Sequence, residues 1–247
     1  TVAYKKVLHE DYDLYNFMRF LWANYFRMRI NTIPFYVNEA IIKFQSKFDY
    51  MDWFEVYNLL EFIVQEYFFQ YNKSRLVDFI HDTNLVFERE LSGYRFIGNQ
   101  ITPITSEEEI QEIDDALSNS PQNAKEHLNC AIKFFSDKKN PNYRNSIKES
   151  ISAVEAYCRK LTNKEKATLS DALKHIEVNQ NLQLHPALKT AFDKLYAYTN
   201  DSSGIRHALP YGDNIDFEDA KYFLVTCSAF INYLTVKADK AGLKLNK

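Results

Sequence analysis

Glycine and proline are scarce in this chain, at five and six residues of 247. Turn-rich β-sandwiches and barrels need many of both, so their scarcity argues against those classes and for long packed helices. Cysteine is also sparse: Cys130, Cys158 and Cys227 are odd in number and far apart, with no C-x-x-C spacing. That excludes a disulfide framework and fits buried free thiols in a reducing setting. No apolar run reaches the roughly 18 residues of a membrane span, and Thr1-Val-Ala-Tyr-Lys-Lys6 lacks a signal-peptide core. The expectation is a cytoplasmic protein without a membrane partner. None of the six histidines has an E-x-x-H or H-x-x-x-H partner, so no metal site or cofactor is expected. Phosphate-loop, dinucleotide and nucleophile-elbow glycine motifs are missing too, which removes the simplest nucleotide-hydrolase, dinucleotide and α/β-hydrolase readings.

What is abundant is aromatic, with 19 Phe and 17 Tyr in a 46% hydrophobic chain, ample for a buried core. The net charge of −3 hides an asymmetry. Residues 1–119 hold 11 Lys and Arg against 19 Asp and Glu, and residues 120–247 hold 19 against 14, so the halves carry −8 and +5. A basic second half suits a phosphate-rich partner, although scattered helical lysines produce the same balance.

Leu14, Phe17, Met18, Leu21, Trp22 and Tyr25 recur at steps of three and four, which predicts a helix from Asp11 to about Met28. Further helices are expected near 37–44, at Trp53–Tyr71 and at Asn72–Leu91. The period then changes. Tyr94–Ile97 and Gln100–Ile104 flank Gly98-Asn99, which predicts a two-residue β-hairpin over about 94–104 with Pro103 on an edge strand. Thr105-Ser-Glu-Glu-Glu109 reads as a helix start in which hydroxyl and carboxylates meet the first N–H groups. The polar stretch Ser118–Gln122 marks a domain boundary, giving units 1–119 and 120–247. Helices are expected in the second at Asn123–Ser136, Asn142–Leu161, Thr168–Ile176, His185–Thr199 and Asp216–Ala238. The predicted fold class is mainly α: a helical domain with a small hairpin, then a helical bundle.

One short segment between two helices gathers polar and titratable groups: Tyr198-Thr-Asn-Asp-Ser-Ser-Gly-Ile-Arg-His-Ala-Leu209. Its ordinary reading is a turn, with Gly204 supplying an unusual backbone angle. Its chemical reading has Arg206 on a phosphate and His207 as general acid or base, with Asn200 and Asp201 beside them. On the helix after Pro141, Arg144, Lys148, Ser152 and Glu155 form a polar stripe beside the apolar line Ile147, Ile151, Val154 and Cys158. Such a stripe is solvated in most helices. It is also placed for Arg144 and Lys148 to add positive charge and for Glu155 to orient Arg206 or His207, with Glu149 a weaker candidate on a neighbouring line.

Several stretches together resemble abortive-infection proteins of the AbiJ type, in which an accessory N-terminal domain precedes a HEPN domain. They are Glu88–Ile97, Ile104–Ile110, Ser146–Ala156, Gly204-Ile-Arg-His-Ala208 and Cys227–Leu234. The resemblance implies a helical HEPN bundle, homodimeric, acting on RNA without metal in defence against phage. In that family about four to six residues stand between an Arg and the His that follows it. His207 matches the His, whereas Asn200, Asp201 and Ser202 occupy the positions of the Arg, and the nearby Arg206 directly precedes His207. Two outcomes therefore stand side by side: a ribonuclease using Arg206 and His207, or an RNA-binding or protein-interaction sensor that does not cleave. The sequence leaves open any phage-derived or toxin–antitoxin protein partner.

Overall fold

The computed structural model describes residues 2–71, 73–164, 171, 173–175, 185–200 and 215–243. The chain folds into two compact units, Thr1–Ser92 and Gly93–Lys247. As expected from the composition, the fold is mainly α with one two-stranded hairpin among the described residues.

The first unit contains α1 (Val2–Asn24), α2 (Val37–Phe48), α3 (Trp53–Phe62) and α4 (Leu76–Arg89), with a 3₁₀ turn at Ile30–Thr32. Helix α1 ends earlier than its apolar spacing predicts. The Tyr25 and Phe26 N–H groups both return to the Leu21 carbonyl, and Arg27 takes φ +54°, a left-handed conformation that stops a helix. Trp22 then secures the exit, its indole N–H donating to Thr32 Oγ1 at 3.0 Å and to the Arg29 carbonyl at 3.3 Å. Around Trp22 the core gathers Met18, Leu21, Ile33, Ala40, Phe44 and Leu59.

The expected helix Trp53–Tyr71 is not uniform: after Phe62 a π-helical turn spans Ile63–Phe68 before a last helical stretch, Phe69–Tyr71. One extra residue in a turn rotates the next side chains by about 100° relative to an unbroken helix. Ile63 and Val64 are buried, while Phe69 and Tyr71 are exposed.

In the second unit, β1 (Arg95–Ile97) pairs antiparallel with β2 (Gln100–Thr102), with Ile97 opposite Gln100. Gly98 has φ +55°, as its place in the two-residue turn requires, and Pro103 falls just beyond the ladder, where its missing N–H costs nothing. Helices α5 (Glu107–Asn119), α6 (Gln122–Phe135), α7 (Tyr143–Thr162), α8 (Pro186–Asn200) and α9 (Phe217–Lys240) follow. Their starts bear the signals read from the sequence. The Ser106 side chain accepts the Glu109 N–H, Asn142 accepts that of Asn145, and Asp216 and Asp219 form a reciprocal capping box. The helix expected at Thr168–Ile176 lies mostly outside the described residues.

Helices α6, α7 and α9 make the heart of the bundle, burying Leu128, Ile132, Phe135, Ile147, Val154, Tyr157, Leu224 and Ile231 almost completely. The hairpin and α5 contribute to this same core through Ile97, Ile104, Ile113 and Leu117. The compact unit thus begins at Gly93, ahead of the polar stretch at 118–122. One polar tie reinforces the arrangement. Asp114 on α5 accepts the Gly98 N–H at 3.0 Å, and burial holds its carboxyl above the usual carboxylate range despite that bond.

Candidate functional site

The polar stripe of α7 does not run uniformly in solvent. Lys148 is exposed, Arg144 and Ser152 are half-buried, and Glu155 is buried at 7% exposure. The stripe therefore turns into the bundle as it approaches Glu155. A buried carboxylate needs a partner, and Glu155 has one a helical turn on: Arg159 Nη2 lies 3.4 Å from its Oε2. This pair gives Glu155 a partner the sequence reading did not name, while Arg206 and His207, which it was expected to orient, lie outside the described residues. Its negative charge is also felt by Cys158, whose thiol is pushed up to about 12, first by burial and then by Glu155.

The structure brings together one pair that spacing did not predict. His127 Nδ1 on α6 meets Glu149 Oε2 on α7 at 2.6 Å, the two side chains being 41% and 19% exposed. With Nδ1 engaged, Nε2 is the ring nitrogen left for other chemistry, which is how a carboxylate fixes the orientation of an imidazole. The two residues are 22 positions apart, so no sequence window contains them both. A signal did exist. His127 borders the buried line Ala124, Leu128, Ala131 of α6, and Glu149 borders the line Ser146, Ile147, Ser150 of α7. Residues that flank the buried stripes of two packed helices meet over the seam.

At the start of α9 an open groove of about 310 Å³ is lined by Glu109, Phe217, Glu218, Lys221 and Tyr222. Lys221 Nζ lies 2.9 Å from Glu109 Oε2, yet that oxygen receives no aligned hydrogen bond, so the contact is one of charge. With two carboxylates to one already engaged lysine, this groove does not suit a phosphate. On neighbouring α5 the Glu108 carboxyl is lowered by its own backbone N–H and by the Ser106 hydroxyl, as its place at a helix start dictates. Among the described residues no group of three or more His, Cys, Asp and Glu side chains is placed to hold a metal ion. Nor is any helix among them long and apolar enough to cross a membrane.

Of the residues singled out from the sequence, Arg144, Lys148 and Glu155 share α7. Asn200 is the last residue of α8. Asp201, Arg206 and His207 lie outside the described residues, in the segment joining α8 to α9.

Similarity to known families lies at the other end of the chain. Residues 3–119 match the family model described as AbiJ N-terminal domain 4. No curated protein and no solved structure matches the chain. The matched stretch takes in the whole first unit from residue 3 together with the hairpin and α5 of the second. Its name places it in abortive-infection systems, which act against phage. Residues 3–119 thus belong with the AbiJ N-terminal domain 4 family.

Proposed function

We propose that this protein acts in anti-phage abortive infection by binding and cleaving RNA, without metal, through a HEPN-like bundle in residues 120–247. The observation that carries the reading is the AbiJ N-terminal domain ahead of a helical bundle. The +5 balance of that half and the cations Arg144 and Lys148 on α7 support it. In the proposed reaction His207 takes the proton of a ribose 2′-hydroxyl. The 2′-oxygen attacks the adjacent phosphorus, the bond from phosphorus to the 5′-oxygen breaks, and the departing 5′-oxygen takes a proton from water. Arg206 neutralises the charge that develops on the phosphate. Two copies of the chain, related by a twofold axis, would present two such segments to one RNA.

The test is cleavage of RNA by the native protein in the presence of a chelator. Activity is expected to survive chelation and to disappear in His207→Ala and Arg206→Ala, with thermal stability within the roughly 0.5 kcal/mol range of surface substitutions. RNA bound but left uncut by the native protein and both variants would refute the nuclease assignment. That result would favour the second reading, a non-catalytic module that binds RNA or a protein partner. One observation speaks for this alternative: the family's Arg positions hold Asn200, Asp201 and Ser202, and the Arg present is adjacent to the His.

A further inference from the structure

The first unit has a stretch of sequence rich in positive charge within a net negative context. Between residues 19 and 48 stand Arg19, Arg27, Arg29, Lys43 and Lys47 against a single acidic residue, Glu39, whereas residues 1–92 as a whole hold 10 Lys and Arg against 13 Asp and Glu. Among the described residues none of the five cations forms an ion pair. Rings and a carbonyl hold three of them instead. Lys43 Nζ donates to the Thr32 carbonyl at 3.1 Å and sits 5.4 Å from the Trp22 ring centroid. Lys47 Nζ lies 5.2 and 5.1 Å from those of Trp22 and Phe26, and the Arg19 guanidinium 5.9 Å from that of Tyr15. Contacts of this kind position a cation without neutralising it, so the charge stays available to an anion.

Two open grooves flank the segment that leaves α1. One, of about 320 Å³, is lined by Arg19, Asn16 and Asn24 beside Phe20, Tyr67 and Tyr71, the last two set in place by the π-helical turn and the residues after it. Turns of this type concentrate at functional sites. The other, of about 690 Å³, is lined by Lys43, Lys47 and Ser46 with Tyr25, Phe26 and Tyr50. Glu55 also borders it, with Oε2 engaged by the Asp52 N–H at 3.0 Å. Each groove is lined by one strongly exposed ring, Tyr71 at 64% and Tyr50 at 89%. A cation and an exposed aromatic ring lining each of two grooves match a chain that carries both phosphates and flat bases.

We propose that the first unit binds single-stranded nucleic acid across this face, with Arg19, Lys43 and Lys47 on phosphates and Tyr50 and Tyr71 stacking on bases. The inference stands on the first unit alone and does not need the chemistry proposed for His207.

The test titrates the full chain carrying His207→Ala, so that no probe is cut, into fluorescein-labelled oligouridine or oligothymidine of about 12 nucleotides across a range of salt concentrations. Arg19→Gln/Lys43→Gln/Lys47→Gln is expected to weaken binding at least about tenfold. It should also flatten the slope of log K against log salt by about 2, from three contacts at ~0.7 each. Tyr50→Ala and Tyr71→Ala should each cost about fivefold or more, the lower end of what a stacked base contributes. Lys43→Arg/Lys47→Arg should bind as the parent does. Comparison of the two probes tells RNA from DNA as the natural source of the strand.

Unchanged affinity and slope in the triple variant overturn the proposal. So does binding confined to anionic phosphatidylglycerol vesicles or to a protein. If Arg144→Gln/Lys148→Gln abolishes binding while the triple variant does not, the RNA reading of the bundle stands and this one falls. If the triple variant fails to fold, photocrosslinking of the unsubstituted surface to 4-thiouridine RNA decides. Crosslinks within residues 15–75 support the proposal, and crosslinks only beyond residue 92 overturn it.

Discussion

The seam between α7 and α9 holds the bundle that carries the proposed site, and one hydrogen-bond chain in it is open to quantitative test. Tyr157, with no exposed surface, meets Thr235 Oγ1 through its hydroxyl at 2.8 Å, and Thr235 Oγ1 donates to the Ile231 carbonyl at 2.9 Å. A threonine hydroxyl has one proton. Since that proton goes to Ile231, Tyr157 must be the donor and Thr235 the acceptor. Burial pushes the Tyr157 phenol up to about 12, so it stays neutral at working pH and the bond is of the ordinary neutral kind.

Tyr157→Phe removes the donor and leaves Thr235 its bond to Ile231, for a loss of about 0.5–1.5 kcal/mol. Thr235→Val keeps the volume but leaves a buried phenol with no acceptor, a loss of about 1–3 kcal/mol. The double variant has no stranded hydroxyl, so its loss should fall short of the sum of the single losses by about 0.5 kcal/mol or more. For a chain of this size each kcal/mol moves the melting temperature by roughly 2–4 °C. Far-UV circular dichroism in urea is the suitable readout, because both tryptophans, Trp22 and Trp53, lie in the first unit and their fluorescence reports only on that unit. A larger loss for Tyr157→Phe than for Thr235→Val, or strict additivity, would refute the donor assignment.

Two further outcomes arise from buried groups. The raised Asp114 carboxyl makes the folded state bind its proton more tightly than the unfolded state, so this residue's contribution is greatest at low pH. It is lost as pH climbs from the unfolded value through the folded one. Asp114→Asn should therefore gain in melting temperature relative to the parent between about pH 4 and 7, and a difference independent of pH would disprove this. Cys158 and Cys227 are buried with thiols raised to about 12, whereas Cys130 is exposed. Ellman's reagent should thus modify one thiol rapidly in the native chain and all three after denaturation.

Much of the fold was legible because its determinants are local. The caps at Ser106, Asn142 and Asp216, the Gly98-Asn99 turn and the periodic stripes of α6, α7 and α9 all depend on neighbours within a few residues. Two features were not legible for the same reason. The π-helical turn at Ile63–Phe68 keeps the composition of an ordinary helix, and a count of apolar spacings has no term for one extra residue. The exit of α1 depends on Trp22 reaching Thr32 and Arg29, a tertiary contact that overrides the continuing apolar pattern at Tyr25. The site divides similarly. The α7 stripe was visible as a pattern, but its burial gradient and the pairing of Glu155 with Arg159 were not. The meeting of His127 with Glu149 needed two helices to be packed before it existed.

The offset between the family match, which ends at residue 119, and the compact unit that begins at Gly93 has an evolutionary consequence. A segment matched as one family domain is here divided between two compact units, and its last 27 residues, 93–119, belong to the second unit. Any recombination that exchanges N-terminal domains among relatives at residue 119 also replaces Ile97, Ile104, Ile113, Ala116 and Leu117, five side chains of the bundle's core. Such exchanges succeed only where the incoming hairpin and helix match the receiving bundle in shape. Diversification of the two halves is thereby coupled through interior packing, and a crossover at residue 92 escapes that coupling.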